Sequence, residues 1–200
     1  RGHDLSSLCS LLSAGAPVSP HQCDWAYENV KQDMIFASIS GGTEIIGCFM
    51  LGSPLHPVRR GELTAKGLGL AVNVMDERNA PVIGVQGDLV CTEPFPSQPL
   101  SFWGKDGTAR YHATYFAARP EIWTHGDVAE MTVHGSAVIY GRSDTTLKPG
   151  GVRIGTAEIY AACEAFTEIE DCLVFGAPVE GDEEIVLCVK LADGATLSTE

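Results

Sequence analysis

Residues 141–160 read GRSDTTLKPGGVRIGTAEIY, and this stretch decides how the chain is organised. An apolar run at 137–140 comes directly before it and predicts a strand. Arg142 and Arg153 lie on either side of a Pro-Gly-Gly turn at 149–151. Glycine lets the backbone approach a ligand closely, and guanidinium groups beside it suit phosphate or carboxylate. The stretch therefore predicts an anion-binding connection, and a solvated strand-to-helix loop with scattered charges is the alternative.

A helix and two strands are predicted after this connection. Thr156 is a suitable N-cap. One apolar helix face is predicted from spacings of i, i+3, i+4 and i+7, at Ile159, Ala162, Cys163 and Phe166. Runs 172–179 and 184–191 predict strands of the same unit, joined by an acidic turn at 180–183.

A second candidate ligand loop follows a predicted buried strand at 34–40. It reads Ser-Gly-Gly-Thr-Glu from Ser40 to Glu44, and loops at the carboxyl ends of strands in α/β sheets bind ligands. Two glycines allow close approach, Thr43 can donate to phosphate, and Glu44 can hold a divalent cation, because Mg²⁺ usually takes one or two carboxylates plus phosphate oxygens. By itself this string is weak evidence for a ligand site and is more typical of a plain turn.

The rest of the chain predicts a mixed α/β fold. A strand at 8–13 runs into the turn Ala14-Gly15-Ala16-Pro17, and a helix is predicted over 20–31. Between 61 and 123, short strand-like pieces alternate with turn signals and predict a small antiparallel barrel or sheet; the examples are 70–75, 82–84 and 89–91.

Composition excludes several function classes. A formal charge of −13 argues against a nucleic-acid partner or an anionic membrane, since both attract basic surface. No apolar run approaches the ~20 residues that span a bilayer, and no signal-peptide pattern is seen. The seven cysteines are scattered without a C-x-x-C pair, which indicates a reducing compartment. A cytoplasmic location is therefore predicted.

Taken together, residues 141–160, Thr43-Glu44 and His125-Gly126-Asp127 resemble the motifs of the adenylate-forming enzymes. These are the acyl-CoA synthetases, peptide-synthetase adenylation domains and luciferases. The family has Thr where this chain has His125, which is expected to be structural here. The resemblance implies that Thr43, Glu44 and Arg142 are catalytic, with Glu44 on Mg²⁺, and that Asp144 is the hinge.

The resemblance also implies which residues bind the substrates. Asp127 is expected to accept hydrogen bonds from the ATP ribose, and Gly150 and Gly151 to line the CoA tunnel. The whole set of nucleotide-binding residues implied in this way is Gly15, Ala16, Pro17, Ser40, Gly42, Thr43, Asp127, Arg142 and Arg153. The cofactors and substrates would be ATP, Mg²⁺ and CoA, with no obligate protein partner. Trp103 and the aromatics at 111–115 are expected to pack rather than stack on a base.

The same resemblance predicts the domain organisation. Residues 1–141 would be the C-terminal portion of a large AMP-binding domain, comprising the end of a sheet and a small barrel-like subdomain. Residues 142–144 would be the hinge, and 145–200 the beginning of a small α+β domain. Neither the family's glycine-rich phosphate loop nor its late catalytic lysine is present, so the chain is expected to be catalytically incomplete.

Residues 40–51, Phe102-Trp103 and 122–127 are most similar to family members that activate acetoacetate. Gly41 lies where acetate-activating members place a Trp, and loss of an indole is expected to open an acyl pocket for a four-carbon keto acid. The expected products are acetoacetyl-CoA, AMP and pyrophosphate. Three alternatives stay open: another acyl- or aryl-CoA ligase, a peptide-synthetase-type adenylation domain, and a non-catalytic nucleotide-binding fragment.

Overall fold

In a computed structural model, residues 2–147, 149, 152, 154–179 and 182–196 are described. The chain divides into two compact units, Arg1–Ile139 and Tyr140–Glu200. The hinge predicted at 142–144 begins just after this division.

The described residues form a mixed α/β fold, as predicted. Three helices are α1 (Pro20–Asn29), α2 (Gly107–Tyr115) and α3 (Thr156–Cys163). The strands are β1 (Ser10–Ser13), β2 (Ile35–Ser38), β3 (Ser40–Gly42), β4 (Gly47–Leu51), β5 (Ala65–Lys66), β6 (Val72–Met75), β7 (Gln86–Cys91), β8 (Trp123–Met131), β9 (Ala137–Arg142), β10 (Ile169–Val179) and β11 (Asp182–Leu191). Within the described part of the chain, no helix is long and apolar enough to cross a bilayer.

β1 and β2 are parallel, and α1 connects them. Ser19 and Gln22 form a capping box at the start of α1, and Pro20 occupies its first turn, where a missing N–H costs nothing. The pair runs from Ser10 opposite Ile35 to Ser13 opposite Ser38. The loops that follow β1 and β2 therefore leave the sheet at the same edge.

The larger sheet of the first unit has the strand order β6-β7-β8-β9, and β6-β7 and β7-β8 are antiparallel. A three-stranded sheet, β3-β4-β5, is also antiparallel. The strands predicted near 70–75 and 89–91 are present. The strand predicted at 82–84 is wrong, because these residues form a bend in which Gly84 has φ +70°.

An aromatic cluster fills the core of the first unit. Tyr115 stacks on Trp123 with ring centroids 3.8 Å apart, and Phe49 meets Phe95 edge to face at 5.4 Å. Tyr111 and Tyr115, one turn apart on α2, are buried as expected. The matching expectation for Trp103 is wrong, because its side chain is 97% exposed.

The second unit pairs β10 with β11 as an antiparallel hairpin, and α3 packs on β10. The predicted N-cap is wrong by one residue: Thr156 is the first helical residue and Gly155 is the cap. A Cβ at position 155 would lie 2.5 Å from the Tyr140 carbonyl oxygen, so this position requires glycine. The predicted apolar face is only partly right, because Cys163 is buried but Phe166 is exposed.

Candidate functional site

The β3–β4 hairpin carries the predicted Ser40–Glu44 loop. The Ile46 amide donates to the Thr43 carbonyl at 3.2 Å and closes the turn. Ile45 is 1% exposed and anchors the turn in the core, whereas Thr43 and Glu44 lie exposed at its tip. Ile46 has φ +48°, a strained conformation for a β-branched residue. The hairpin thus presents a hydroxyl and a carboxylate to solvent from an anchored turn.

Asp127 lies beside this hairpin. The Ser40 hydroxyl donates to Asp127 Oδ2 at 2.7 Å, although the two residues are 87 positions apart. Ser40 is buried and the Asp127 side chain is 13% exposed. The structure therefore brings together two residues that the sequence singled out separately. A carboxylate held in this way can accept further hydrogen bonds from ligand hydroxyls.

His125 is buried between the two elements. Its Nε2 lies 3.1 Å from the Gly41 carbonyl oxygen and 3.9 Å from Asp127 Oδ2. Its Nδ1 lies 3.4 Å from the indole Nε1 of Trp123, and the Phe49 ring meets the imidazole edge to face at 4.8 Å. The imidazole is thus fixed by polar contacts at both nitrogens and by an aromatic neighbour, in agreement with the structural role expected for it.

Gly42 lies close to both the Glu44 carboxylate and the His125 ring. A Cβ at position 42 would be 3.1 Å from Glu44 Oε2 and 3.3 Å from His125 Cε1. Both contacts are tight, so a side chain here would displace the Glu44 carboxylate. The observed position of that carboxylate depends on glycine at 42.

The structure shows close backbone packing around Gly41. A Cβ at position 41 would lie 2.1 Å from the Gly47 carbonyl oxygen and 2.6 Å from the Cys48 Cα. These are backbone atoms of β4, brought close where the β3–β4 register shifts between Ser40 and Gly41. In this structure the approach of β4 therefore requires glycine at position 41. Its assignment to the acyl site stays a prediction.

Cys48, opposite Gly41 on β4, is a neutral thiol. Burial raises the pKa of Cys48 above the ordinary value for a thiol. A thiol with a raised pKa is a poor nucleophile at neutral pH. Cys48 therefore belongs to the packing of the hairpin and not to its chemistry.

The predicted adenine turn lies at the edge where β1 and β2 end. The Ile39 amide donates to the Ser13 carbonyl at 3.0 Å, which holds the start of β3 beside the end of β1. Gly15 has φ +92°, and Ala16 is exposed. The turn and the β3–β4 hairpin thus follow neighbouring strand ends, and contact of Gly15, Ala16 and Pro17 with adenine stays a prediction.

Arg142 and Asp144 belong to the second unit. Arg142 Nε lies 3.3 Å from Asp144 Oδ1, and both side chains are largely exposed. The Arg142 carbonyl accepts from the Thr145 amide at 3.2 Å and from the Thr146 hydroxyl at 2.8 Å. The residue predicted as hinge therefore lies inside a hydrogen-bonded turn. Gly150, Gly151 and Arg153 lie outside the described residues, so their predicted roles stay predictions.

Sequence reasoning missed the support beneath the site. It expected a structural role for His125 but did not identify the residues that hold this side chain: Trp123 and Phe49 fix the imidazole that lies between β3 and β8. The signal that could have revealed this support is His125 itself, at a position where the family has Thr. A buried imidazole satisfied on both nitrogens needs partners that no local pattern can supply.

Comparison with known proteins places these features in a family context. The chain is 52% identical over 198 residues to acetoacetyl-coenzyme A synthetase of Rhizobium meliloti, which covers 99% of this chain and 30% of that protein. It is 42% identical over 200 residues to acetoacetyl-CoA synthetase of Xenopus tropicalis, with the same shares covered. The chain thus spans about a third of the length of these relatives. No protein-family model matches it.

Solved structures give the same result. Acetoacetyl-CoA synthetase from Streptomyces lividans has a TM-score of 0.84 and 40% identity, covering 98% of this chain and 30% of that one. An anthranilate CoA ligase in complex with anthranoyl-AMP has a TM-score of 0.78 at 22% identity, covering 98% of this chain and 36% of the other. The second likeness is evidence for the fold alone. The described residues therefore have the fold of part of an adenylate-forming CoA ligase, as predicted.

Proposed function

We propose that this chain is a segment of an ATP-dependent ligase that joins acetoacetate to CoA. The overall reaction would convert acetoacetate, ATP and CoA into acetoacetyl-CoA, AMP and pyrophosphate. The similarity to acetoacetyl-CoA synthetases along 99% of the chain supports this assignment. The chain by itself is expected to be inactive, since it spans about 30% of those proteins.

The single observation that carries the proposal is the contact between Ser40 and Asp127. It places the carboxylate expected to bind ribose at the foot of the hairpin that presents Thr43 and Glu44. One nucleotide could then contact Asp127 through its ribose hydroxyls and the hairpin tip through its α-phosphate. This arrangement supports nucleotide binding in the first unit.

The first chemical step would be attack of the acetoacetate carboxylate on the α-phosphorus of ATP, with departure of pyrophosphate. Two anions must approach each other, so alignment and charge neutralisation matter more than a general base. Thr43 would donate a hydrogen bond to the α-phosphate, and Arg142 would contact the phosphate or the acyl-adenylate. The product of this step would be acetoacetyl-adenylate.

Glu44 fits the role of a Mg²⁺ ligand. Its carboxylate is a hard oxygen donor, exposed at the hairpin tip, where it could share the ion with phosphate oxygens and water. Bound Mg²⁺ would supply positive charge beside the phosphates. Among the described residues, no group of three or more His, Cys, Asp or Glu side chains could hold a metal ion, so most ligands would come from the nucleotide and water.

The second step would be displacement of AMP by the CoA thiol. We propose Asp144 as the hinge about which the second unit turns between the two steps. Gly150 and Gly151 would line the passage for CoA, and Arg153 would contact the phosphates. The whole enzyme is proposed to act in the cytoplasm, which the seven free cysteines support.

Product analysis of the full-length protein that carries this segment tests the proposal. The protein is incubated with ATP, Mg²⁺, CoA and one of four acids: acetoacetate, acetate, benzoate or anthranilate. We expect acetoacetyl-CoA and AMP to form fastest. Preferential turnover of an aromatic acid would favour an aryl-CoA ligase, and absence of any thioester and any adenylate would favour a non-catalytic nucleotide-binding protein.

A further inference from the structure

His125 connects two strands that belong to different sheets. It lies on β8, in the four-stranded sheet, two residues before Asp127. Its partner Gly41 lies on β3, in the sheet β3-β4-β5. The Ser40–Asp127 hydrogen bond joins the same two strands. β3 and β8 are therefore joined by two polar contacts side by side.

The chemistry of the partners determines which imidazole nitrogen carries the proton. The indole Nε1 of Trp123 can only donate, so His125 Nδ1 must accept the 3.4 Å bond between them. The Gly41 carbonyl oxygen can only accept, so Nε2–H donates the 3.1 Å bond. A neutral imidazole protonated at Nε2 satisfies both contacts. With both nitrogens engaged inside the protein, this side chain is placed to hold strands together and not to transfer a proton to substrate.

The side chain is well fixed at this position. His125 is 5% exposed, and Phe49 on β4 meets its ring at 4.8 Å. Neighbouring Gly126 has φ +86°, which turns the backbone between His125 and Asp127. The imidazole therefore holds β8 at a fixed distance from the backbone of β3. This contact lies immediately before Gly42, Thr43 and Glu44.

We propose that His125 is a positioning residue of the adenylation site: its Nε2–H bond to the Gly41 carbonyl sets the spacing between the Thr43-Glu44 hairpin and Asp127. The inference rests on the proposed function, because a nucleotide must span these two elements for their spacing to matter. A displacement of about 1 Å in a catalytic site can cost roughly a hundredfold in rate. Loss of the His125–Gly41 contact, with the Ser40–Asp127 hydrogen bond kept, should therefore lower the rate by less than a hundredfold.

Two substitutions of His125 test the hydrogen bonds of its two ring nitrogens separately. His125→Asn places an amide oxygen near the position of Nδ1, where it can accept from Trp123, but leaves no donor within reach of Gly41. His125→Gln places an amide N–H near the position of Nε2, where it can donate to the Gly41 carbonyl. Thr124→Val is the matched control: it lies on the same strand, it is nearly isosteric, and Thr124 Oγ1 has no hydrogen-bond partner among the described residues.

The experiment uses the full-length protein and measures KM for ATP, KM for CoA, the adenylation rate and the melting temperature. We expect His125→Asn to raise KM for ATP and lower the adenylation rate by about tenfold each, with KM for CoA unchanged. His125→Gln should restore both to within about threefold, and Thr124→Val should leave them unchanged. Equal ATP kinetics in the Asn and Gln variants, or losses that only follow melting temperature, would overturn the inference.

Failure of the proposed function is distinguished by the unaltered protein. If it binds ATP but activates no acid, the function is wrong, and His125 is then tested by the dissociation constant for ATP. A weaker affinity for ATP in His125→Asn that is restored in His125→Gln supports the positioning role of His125. Equal affinities in all variants overturn it, and absence of ATP binding by the unaltered protein overturns both proposals.

Discussion

Asp127 and Asp144 lie in opposite environments. Asp127 is 13% exposed, accepts from Ser40 at 2.7 Å and stands beside a buried imidazole. Asp144 is 69% exposed, and its carboxylate pairs with Arg142 on the surface of the second unit. The Asp127 carboxylate is held by a residue distant in sequence, whereas the Asp144 carboxylate forms an exposed pair with a residue two positions away.

This difference in environment indicates that the two aspartates have different functions. A binding carboxylate gains from being held before the ligand arrives, because less ordering remains to be done on binding. A hinge needs the opposite, since its backbone must change conformation and tight partners would resist the change. The residues around Asp127 are thus expected to be in their binding positions already in the unliganded protein. The residues around Asp144 are expected to change conformation during the reaction.

The largest effect is expected from Asp127→Ala. The substitution would remove the two charge-assisted hydrogen bonds proposed between Asp127 and the ribose, each contributing about 1.5 kcal/mol or more, so kcat/KM for ATP should fall by at least about 100-fold. Steady-state kinetics of the full-length protein measures this fall. Ser40→Ala keeps the carboxylate and should cost only about fivefold. An unchanged KM for ATP in Asp127→Ala would show that ribose binds elsewhere.

Asp144→Pro should have the next largest effect, confined to the second step. Proline fixes its own φ and restricts the residue before it, so a hinge at this position could not turn. Thioester formation from the adenylate should fall by about 100-fold, while adenylation stays within about threefold. Single-turnover assays that start from each step separate the two rates. Equal loss of both would contradict the hinge role.

Several parts of this site could be predicted from sequence, because their signals are local. The strand before Ser40 and the Thr-Glu pair at 43–44 form a contiguous pattern. The Ser40–Asp127 contact could not be predicted, since it joins positions 87 residues apart. For Gly41 the structure adds a reason that the sequence could not supply: the close approach of Gly47 leaves no room for a Cβ, and such approaches between strands cannot be read from a local pattern.

Helix α2 was not predicted and the start of α3 was misplaced, and the two errors have similar causes. Helix α2 has buried side chains at Tyr111 and Tyr115, but its other residues are small or polar, so its apolar pattern is weak. Gly107, its first residue, lies so close to the Phe102 carbonyl that no Cβ would fit. The start of α3 was misjudged because Gly155 packs on Tyr140. Tertiary contact overrode a local preference in each case.

Gly42→Ala should have an intermediate effect. Its Cβ would press on Glu44 Oε2 and His125 Cε1 at 3.1 and 3.3 Å, and the flexible carboxylate should yield first. Overpacking of this kind costs about 1–3 kcal/mol, so adenylation should slow by about tenfold and half-saturation should need more Mg²⁺.

Gly47→Ala is the control for this substitution. It lies on the other strand of the same hairpin, and its Cβ would meet nothing closer than the Ile45 carbonyl at 3.6 Å. Its activity and its Mg²⁺ requirement should match those of the unaltered protein. Equal slowing in both variants would show that the hairpin is sensitive to any side chain.

The smallest effect is expected from Asp144→Asn on stability. The Arg142–Asp144 pair is solvent-exposed, and such pairs contribute about 0–1 kcal/mol. The free energy of unfolding in urea should therefore change by less than about 0.5 kcal/mol. A loss of several kcal/mol would mean that the turn at Asp144 is a rigid structural element.

The most direct test of the central claim is acetoacetate-dependent exchange of pyrophosphate into ATP, measured without CoA. This exchange reports adenylation alone. We expect the full-length protein to catalyse this exchange, Asp127→Ala to slow it by at least about 100-fold at subsaturating ATP, and Asp144→Pro to retain it. An exchange rate in Asp127→Ala that stays close to that of the unaltered protein, or an equal loss in both variants, would contradict the different functions proposed for the two aspartates.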